Sequence, residues 1–336
     1  MSRICNGRTG WLCLDPAAIQ KGEDGNGTST RLPYLDFLKG VLILLVISFH
    51  LVHFEALHPY AKQVVYTFHM PAFLFISGYL VNVAKPMKAF LLTMLWVAIP
   101  YAIMESGYII AASMLPVSDH VPDLTFDVYL YKLLLHPLGP YWYLHTILVC
   151  GLLSRCVMLV RCHWLVSVGL LAGCFVSVSL SPLSLSLPCA LNYLAGFALR
   201  RSTISFARPF LATPVALVLF SVLAFFQGNL DKGAIGGIVI VYLSVCSLLW
   251  MYCVSGDFLR GFFSYLGTKS LLLYVFSPVF TLASKVMVPY LSFEPTGMLF
   301  LVIALTLSVS GSLSLGYLSD LLHLSPYIFG RKVMRT

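Results

Sequence analysis

Two residues with ionisable side chains, Lys39 and His50, interrupt the apolar run LKGVLILLVISFHL at positions 38–51. They are eleven positions apart, which corresponds to about three helical turns. One continuous helix therefore places them on the same face, about 16 Å apart along its axis. Ionisable groups inside a membrane are costly and usually face a bundle interior or a cavity. The spacing predicts a basic group near the inner membrane surface, paired locally with Asp36, and a deeper histidine that can act as a general base.

Three more titratable residues, on three other predicted helices, are expected near the level of His50. They are His69 in the second predicted span, Glu105 in the third and His145 at the start of the fourth. A carboxylate or a hydrogen-bonding neighbour commonly orients a histidine base, so Glu105 and His69 are predicted catalytic partners of His50. His145 and its neighbour Trp142 are predicted to contact the substrate.

These residues also have structural interpretations that the sequence leaves open. His69 precedes a Met-Pro pair that kinks helices. In this interpretation its imidazole has a structural role and forms a hydrogen bond within the bundle. His145 lies in the aromatic stretch YWYLH, which is typical of anchoring at a membrane interface. Glu105 can form an ion pair with Lys269 instead of taking part in chemistry.

A second group of basic residues is predicted at the inner membrane surface. Lys85 and Lys88, in the segment KPMK, lie in a tight loop between two predicted spans. Together with Lys39 they can hold phosphate groups. A polyanionic head at the inner surface and a reactive end near His50 match the shape of acyl-coenzyme A. The same two lysines are equally typical of loops that set membrane topology.

The elements that must position these residues are predicted to be membrane-spanning helices. Of the 336 residues, 59% are hydrophobic and 10% are charged, whereas soluble domains average about 25% charged residues. Apolar runs long enough to cross a bilayer predict an all-α, polytopic membrane bundle of about ten helices with both termini cytoplasmic. The predicted spans are 35–54, 64–84, 89–113, 141–161, 164–180, 188–200, 207–226, 234–253, 261–283 and 297–322.

The basic residues support this orientation, because 16 of the 21 lysines and arginines lie in predicted cytoplasmic segments or toward the cytoplasmic ends of predicted spans. Residues 1–30 are predicted to form a disordered cytoplasmic tail, 31–325 the membrane domain and 326–336 a basic cytoplasmic tail. The formal net charge of +8 indicates contact with membrane lipids rather than nucleic acid, since no basic patch is interleaved with aromatic residues. The nine cysteines lack zinc-binding spacing, so no metal is expected.

Four segments carry a resemblance to a known family: RLPYLDFLKGVLILLVISFHL, FHMPAFLFISGYL, GPYWYLHTILV and SYLGTKSLLLYVF. They resemble the acyltransferase-3 family of multi-pass membrane acyltransferases, and most of all its fucose 4-O-acetyltransferase-like sugar O-acetyltransferases. The resemblance is specific in the first two segments and looser afterwards, and it extends over most of the chain.

The resemblance implies an inner-membrane enzyme that moves an acetyl group from cytoplasmic acetyl-CoA to a sugar hydroxyl of a cell-surface or exported glycan, free or lipid-linked. It implies an essential pair, Lys39 and His50, and a donor-binding pair, Lys85 and Lys88. Many relatives carry arginines in that loop, and many carry a histidine where this chain has Ser277. Whether His50 acts as a base in direct transfer or itself carries the acetyl group stays open.

Two other functions fit the same residues. A secondary transporter can use intramembrane histidines and Glu105 as a proton relay. Such transporters usually show paired repeats with broken helices, and no repeat is visible in this sequence. A glycan exporter would move a lipid-linked sugar without chemistry. Binding of acetyl-CoA separates the acyltransferase from both alternatives.

Overall fold

The computed structural model describes residues 32–114, 120–183 and 185–334. Over these residues the chain is all-α, as the sequence predicts, and contains no strand. The predicted tail at residues 1–30 lies outside the described part of the chain. The α-helices are α1 (Pro33–Ser48), α2 (Val52–Leu57), α3 (Pro59–Leu80), α4 (Met87–Met114), α5 (Phe126–Leu134), α6 (Trp142–Val157), α7 (Trp164–Ser179), α8 (Leu187–Arg201), α9 (Pro214–Ala224), α10 (Ile235–Val254), α11 (Asp257–Thr268), α12 (Ser270–Ala283), α13 (Val288–Leu291), α14 (Met298–Leu321) and α15 (Ser325–Phe329).

The helices include segments suited to a bilayer. Among the described residues, four helical stretches are long and apolar enough to cross a membrane by length and composition: Met87–Met114, Ile235–Val254, Ser270–Leu291 (α12 to α13) and Met298–Leu321. Each of the ten segments predicted as spans overlaps at least one helix of the described chain. The protein is therefore a helical membrane protein, while the number of spans and the cytoplasmic position of the termini stay predictions.

Backbone contacts divide the chain into two compact units. The first contains the described residues up to 76 and residues 199–312, and the second contains 77–198 and the residues from 313 onward. Within the first unit, α11 packs along α1, and both α12 and α10 also contact α1. Several large apolar side chains of α1 are fully buried, among them Phe37 and Leu42. The helix that carries Lys39 thus forms the centre of the first unit.

Two glycines allow α1 and α11 to pack with their backbones in contact. A Cβ atom at Gly40 would meet the carbonyl oxygen of Phe263, and a Cβ atom at Gly267 would meet the carbonyl oxygen of Asp36. Close helix contacts in membrane bundles commonly depend on such small residues. Gly267 belongs to the segment SYLGTKS, which is part of the family resemblance. Close helix packing explains why a glycine stands at this position of the segment.

The helix of Lys39 ends two residues before His50, and the prediction of one continuous helix over 35–54 is therefore wrong. The Nδ1 atom of His50 lies 2.7 Å from the carbonyl oxygen of Val46, which the backbone N–H of His50 would use in a continuing helix. That N–H bonds to Ile47 instead, at 3.1 Å. Competition between side chain and backbone for one carbonyl is a known way to end a helix. His50 consequently lies in a turn between α1 and α2, and not on a helix face shared with Lys39.

The ninth predicted span also consists of two helices. At the junction of α11 and α12, the backbone N–H of Lys269 bonds to the carbonyl oxygen of Leu266 at 3.0 Å. This is a tighter turn than an α-helix makes. The side chain of Lys269 is buried at the junction, so an ammonium group lies inside the first unit.

In the second unit, α4 contacts α5, α6 and α15. A small buried core, against which α5 packs, consists of Ile109, Ala112, Val121 and Leu138. Near the C-terminus, the Asp320 carboxylate accepts hydrogen bonds from the backbone N–H groups of Val333 and Met334, at 2.9 and 2.8 Å. The segment predicted as a basic tail is thus folded onto the end of α14 over its described residues.

Candidate active site

The geometry of His50 defines which of its nitrogens can act as a base. Its Nδ1 atom lies 2.7 Å from the Val46 carbonyl oxygen, and a carbonyl oxygen only accepts hydrogen bonds. Nδ1 must therefore carry the proton, and in the neutral ring the lone pair resides on Nε2. The backbone carbonyl thus holds the ring in one tautomer and one orientation, a role that a carboxylate has beside many catalytic histidines.

His50 and His69, which the sequence predicts at a similar depth, both lie next to one tyrosine. The Tyr66 ring centroid is 6.1 Å from that of His50 and 5.1 Å from that of His69. The Tyr66 hydroxyl donates to the carbonyl oxygen of Phe49 at 2.9 Å, within the turn that holds His50. The Nδ1 atom of His69 donates to Val65 at 2.6 Å, so its Nε2 also carries the lone pair.

Tyr66 was not among the residues predicted from the sequence. Its signal is its position three residues before His69 on α3, which brings both side chains to one face of the helix. Because it bonds to the turn and touches both imidazoles, it couples the position of His50 to α3.

An open cavity of about 260 Å³ in the first unit has Tyr66 in its lining. The residues that line it are Pro59, Lys62, Gln63, Tyr66, Thr67, Leu230 and Lys232. Lys62 forms an ion pair with Glu55 at 3.1 Å, and its Nζ lies 5.4 Å from the Tyr66 ring centroid. The sequence prediction assigned no role to the two lysines, because they lie far apart in the chain and lack a motif.

The predicted local pair of Lys39 and Asp36 is confirmed, since the ammonium and carboxylate groups are 2.6 Å apart. Asp36 is 9% exposed, and Lys39 is half-buried. Loss of the lysine would leave a carboxylate without its partner in a largely buried position, which is strongly unfavourable.

This ion pair shapes how Lys39 must be tested. We expect Lys39→Ala to lower both stability and activity, because it removes a cation and strands Asp36. We expect the double variant Asp36→Asn/Lys39→Gln to recover the stability, since two amides can hydrogen-bond without charge. We expect it to raise KM for acetyl-CoA about tenfold, because it removes the phosphate contact that the sequence predicts for Lys39. Thermal unfolding in detergent and steady-state kinetics measure the two effects. A native KM in the double variant would assign Lys39 a structural role only.

Glu105 and His145 belong to the second unit, where Glu105 contacts the segment after α5 and His145 contacts the last residue of α5. Glu105 is 0% exposed and accepts a hydrogen bond from the backbone N–H of Leu138 at 2.5 Å. His145 donates from Nε2 to the Leu134 carbonyl oxygen at 2.9 Å, and Tyr101 donates to Leu133 at 2.6 Å. These bonds hold the end of α5 and the loop that follows it in place.

The remaining nitrogen of His145, Nδ1, is buried and has no hydrogen-bond partner within the described ranges. With Nε2 protonated, this Nδ1 is an acceptor. Trp142 is half-buried at the start of α6, and its carbonyl oxygen accepts a bond from Thr146 at 2.9 Å.

An arginine, Arg155, lies beside the loop that contains the segment KPMK. From the sequence it was counted only among the basic residues that set membrane topology. Arg155 donates to the carbonyl oxygen of Val83, and its guanidinium lies 5.8 Å from the Phe90 ring centroid. Lys85 donates to the hydroxyl of Thr93 at 3.2 Å, and Lys88 is exposed in the first turn of α4. Three cations therefore border this loop. Arginine supplies the planar donors that lysine lacks.

Comparison with known proteins relates the chain to one family. The family model described as an acyltransferase domain, of the acyltransferase-3 type, matches residues 32–317. Nodulation protein NolL of Mesorhizobium japonicum is 28% identical over 193 residues, covering 52% of this chain and 48% of the relative. Nodulation protein NolL of Sinorhizobium fredii is 28% identical over 204 residues, covering 55% and 51%. The chain thus matches about half the length of these curated relatives. No solved structure matches it significantly.

Proposed function

Because the chain belongs to the acyltransferase-3 family, we propose that it is an inner-membrane, multi-pass O-acetyltransferase. It moves an acetyl group from cytoplasmic acetyl-CoA to a hydroxyl group of a sugar in a cell-surface or exported glycan. The family supports an acyl donor and an acceptor, and the choice of acetyl-CoA and of a glycan is our proposal.

The observation that carries this proposal is the hydrogen bond from His50 Nδ1 to Val46. It leaves the lone pair on Nε2, in a turn that is hydrogen-bonded to Tyr66, a lining residue of the open cavity. In direct transfer, Nε2 takes the proton of the acceptor hydroxyl while the oxygen forms a bond to the thioester carbonyl carbon. The carbon–sulfur bond then breaks, and the thiolate of coenzyme A takes the proton from the imidazolium.

The other predicted residues take supporting roles in this proposal. His69 and Tyr66 position the turn of His50, and Glu105 positions the loop that follows α5. His145 accepts a hydrogen bond from the acceptor through Nδ1, and Trp142 offers an aromatic surface to the sugar.

The donor side of the proposal rests on basic residues in both units, each considered on its own surroundings. Lys39 is proposed to contact the donor from the first unit. Lys85 and Lys88 are proposed to contact phosphate groups of coenzyme A from the loop before α4, with Arg155 as a further candidate. Charge-assisted bonds from several such cations are the usual means of holding phosphates.

The proposal is tested by label transfer. Membranes that contain the protein, and matched membranes without it, receive acetyl-CoA labelled in the acetyl group, after which the glycans are extracted. We expect label in the glycan only with the protein present. Equal label in both membranes, with native acceptors supplied, would contradict the transferase. Uptake of sugar or proton-coupled flux without label transfer would establish the transporter or exporter instead.

A further inference from the structure

We propose that the loop before α4 and the end of α6 form a binding site for a phosphate monoester, and that this group is the 3′-phosphate of coenzyme A. The inference rests on the proposed function and deepens its donor side, because it states which phosphate group is recognised and which residue recognises it. The residues that carry it are Lys85, Lys88 and Arg155, all in the second unit.

Close packing of α6 against α4 brings Arg155 to this loop. A Cβ atom at Gly151 would lie 2.9 Å from the Sδ atom of Met94, so the missing side chain at Gly151 allows the two helices to approach. Residues four apart share one helix face. One turn farther on each helix, the guanidinium of Arg155 accordingly lies 5.8 Å from the ring centroid of Phe90. The arginine therefore stands beside the first turn of α4.

The guanidinium of Arg155 is held with part of its donor set unused. Its Nη1 donates to the carbonyl oxygen of Val83. Its Nε is buried and has no hydrogen-bond partner in the described part of the chain, and a buried donor without an acceptor is unfavourable. Nε and Nη2 lie on one edge of the guanidinium, and such an edge presents two parallel N–H groups to two oxygens of one phosphate.

The loop itself is fixed by side-chain contacts. The side-chain oxygen of Asn82 accepts the backbone N–H of Ala84 at 3.1 Å. Lys85 donates to the hydroxyl of Thr93 at 3.2 Å, and an ammonium group with one bond made keeps two further donors. A site assembled before its ligand arrives loses less entropy on binding.

The charge around the loop is positive and has no acidic counterpart nearby in the chain. Residues 77–99 and 142–164, which contain the loop, the first part of α4 and all of α6, include no aspartate or glutamate. Among the residues that the structure describes, none of Lys85, Lys88 and Arg155 forms an ion pair. Three cations without a carboxylate partner favour an anionic ligand of high charge.

Of the phosphate groups in coenzyme A, the 3′-phosphate fits these observations best. It is a monoester with nearly two negative charges and three free oxygens, whereas each phosphorus of the diphosphate bridge carries one charge and fewer free oxygens. The guanidinium edge and the two ammonium groups match the monoester. A lipid headgroup that ends in a phosphate monoester, as in phosphatidic acid, has the same chemistry, so the experiment must distinguish the two sources.

The kinetic test compares two donors that differ only in the 3′-phosphate. Full-length protein in detergent receives labelled acetyl-CoA or labelled acetyl-dephospho-CoA. We expect the native KM for acetyl-dephospho-CoA to be about tenfold higher, the effect of one charge-assisted contact. Arg155→Gln should raise KM for acetyl-CoA about tenfold and leave kcat and the KM for acetyl-dephospho-CoA nearly unchanged, because this contact lies on the head of the donor and not at its reacting carbon.

Two further variants control for charge and folding. Arg161→Gln removes an exposed arginine that follows the same helix and should keep the native preference for acetyl-CoA. Arg155→Lys retains the charge and a donor for Val83 but lacks the planar edge, so it should raise KM for acetyl-CoA with native Tm. Equal KM values for the two donors in native protein, or a loss of preference in Arg161→Gln as large as in Arg155→Gln, would overturn the inference.

A binding measurement separates this inference from the proposed function. Coenzyme A and dephospho-CoA, neither of which carries an acetyl group, are titrated while thermal unfolding is followed. We expect coenzyme A to raise Tm of the native protein by about 2–4 °C, and dephospho-CoA to raise it less. In Arg155→Gln the two ligands should give equal shifts. A larger shift with coenzyme A but no label transfer would retain the site and reject the transferase, and label transfer with equal shifts would reject the site alone.

Phosphatidic acid added to the detergent tests the lipid source, with phosphatidylglycerol, a phosphate diester, as its control. We expect neither lipid to reduce the Tm shift that coenzyme A causes. An Arg155-dependent shift with phosphatidic acid and none with coenzyme A would assign the monoester to a lipid headgroup and overturn its assignment to the donor.

Discussion

Replacing His50 by asparagine is expected to lower the rate of acetyl transfer by about 10²–10⁴-fold while leaving the fold intact. The amide nitrogen of asparagine can take the place of Nδ1 and donate to the carbonyl oxygen of Val46, the bond that holds the turn. The variant has no atom that can replace the basic Nε2. The measurement is kcat for label transfer at saturating donor, together with Tm in the same detergent.

A second substitution at the same position separates chemistry from structure. His50→Gln moves the amide outward, so it loses the bond to Val46 and also lacks a base. If His50 serves only to end α1, His50→Asn should retain nearly native kcat and His50→Gln should be impaired. If His50 is the base, both variants should be inactive and only His50→Gln should lose stability. Native activity in His50→Asn would remove this residue from the mechanism.

The same protein can decide whether His50 carries the acetyl group itself. Native protein is mixed with labelled acetyl-CoA in the absence of acceptor, and the protein is separated from small molecules. An acetyl-histidine carrier would leave label on the protein that is missing from His50→Asn and is released when acceptor is added. Direct transfer would leave no label on the protein.

The positions of the helices were predictable because long apolar runs leave few alternatives to helix in a membrane. The end of α1 before His50 was not predictable, because two hydrogen bonds determine where this helix ends. One runs from the imidazole to Val46, and the other runs to Phe49 from Tyr66, which lies on a different helix. Hydropathy reports burial and contains no information on which group satisfies a given carbonyl.

A similar depth of His50 and His69 was predictable from their positions along neighbouring helices. The cavity between α3 and the α9–α10 connection was not predictable. Lys62 and Lys232 are distant in the sequence, and only tertiary contacts such as the bond of Thr67 to Leu230 bring them together. Arg155 was overlooked for a similar reason, since a basic residue near a span end is expected from topology alone.

The largest effect on folding is expected at the two glycines where α1 meets α11. We expect Gly40→Ala or Gly267→Ala to lower the free energy of unfolding by about 3 kcal/mol or more, at or above the upper end of typical overpacking. In each case the new methyl group meets a carbonyl oxygen, of Phe263 or Asp36 respectively. Backbone atoms cannot rotate aside, so the two helices must separate along a fully buried contact.

Gly261 provides a matched control on the same helix. It is exposed on α11, and a Cβ atom there meets nothing within 4 Å. Gly261→Ala is expected to raise stability by about 0.5–1 kcal/mol, because alanine restricts the unfolded chain more than glycine does. At Gly40 and Gly267 the higher helix preference of alanine therefore acts against the destabilising clash. The clash costs about three times as much free energy as the preference supplies.

Thermal unfolding of the three variants in one detergent, with label transfer measured below Tm, tests whether Gly40 and Gly267 are needed for the close contact of α1 and α11. Gly40→Ala and Gly267→Ala should unfold well below the native temperature, and Gly261→Ala at or above it. If the first two variants keep native Tm but lose transfer, the close contact of α1 and α11 is not what these glycines provide. Gly40 and Gly267 both lie in segments that carry the family resemblance. Their role would then be in the chemistry beside Lys39 and not in helix packing.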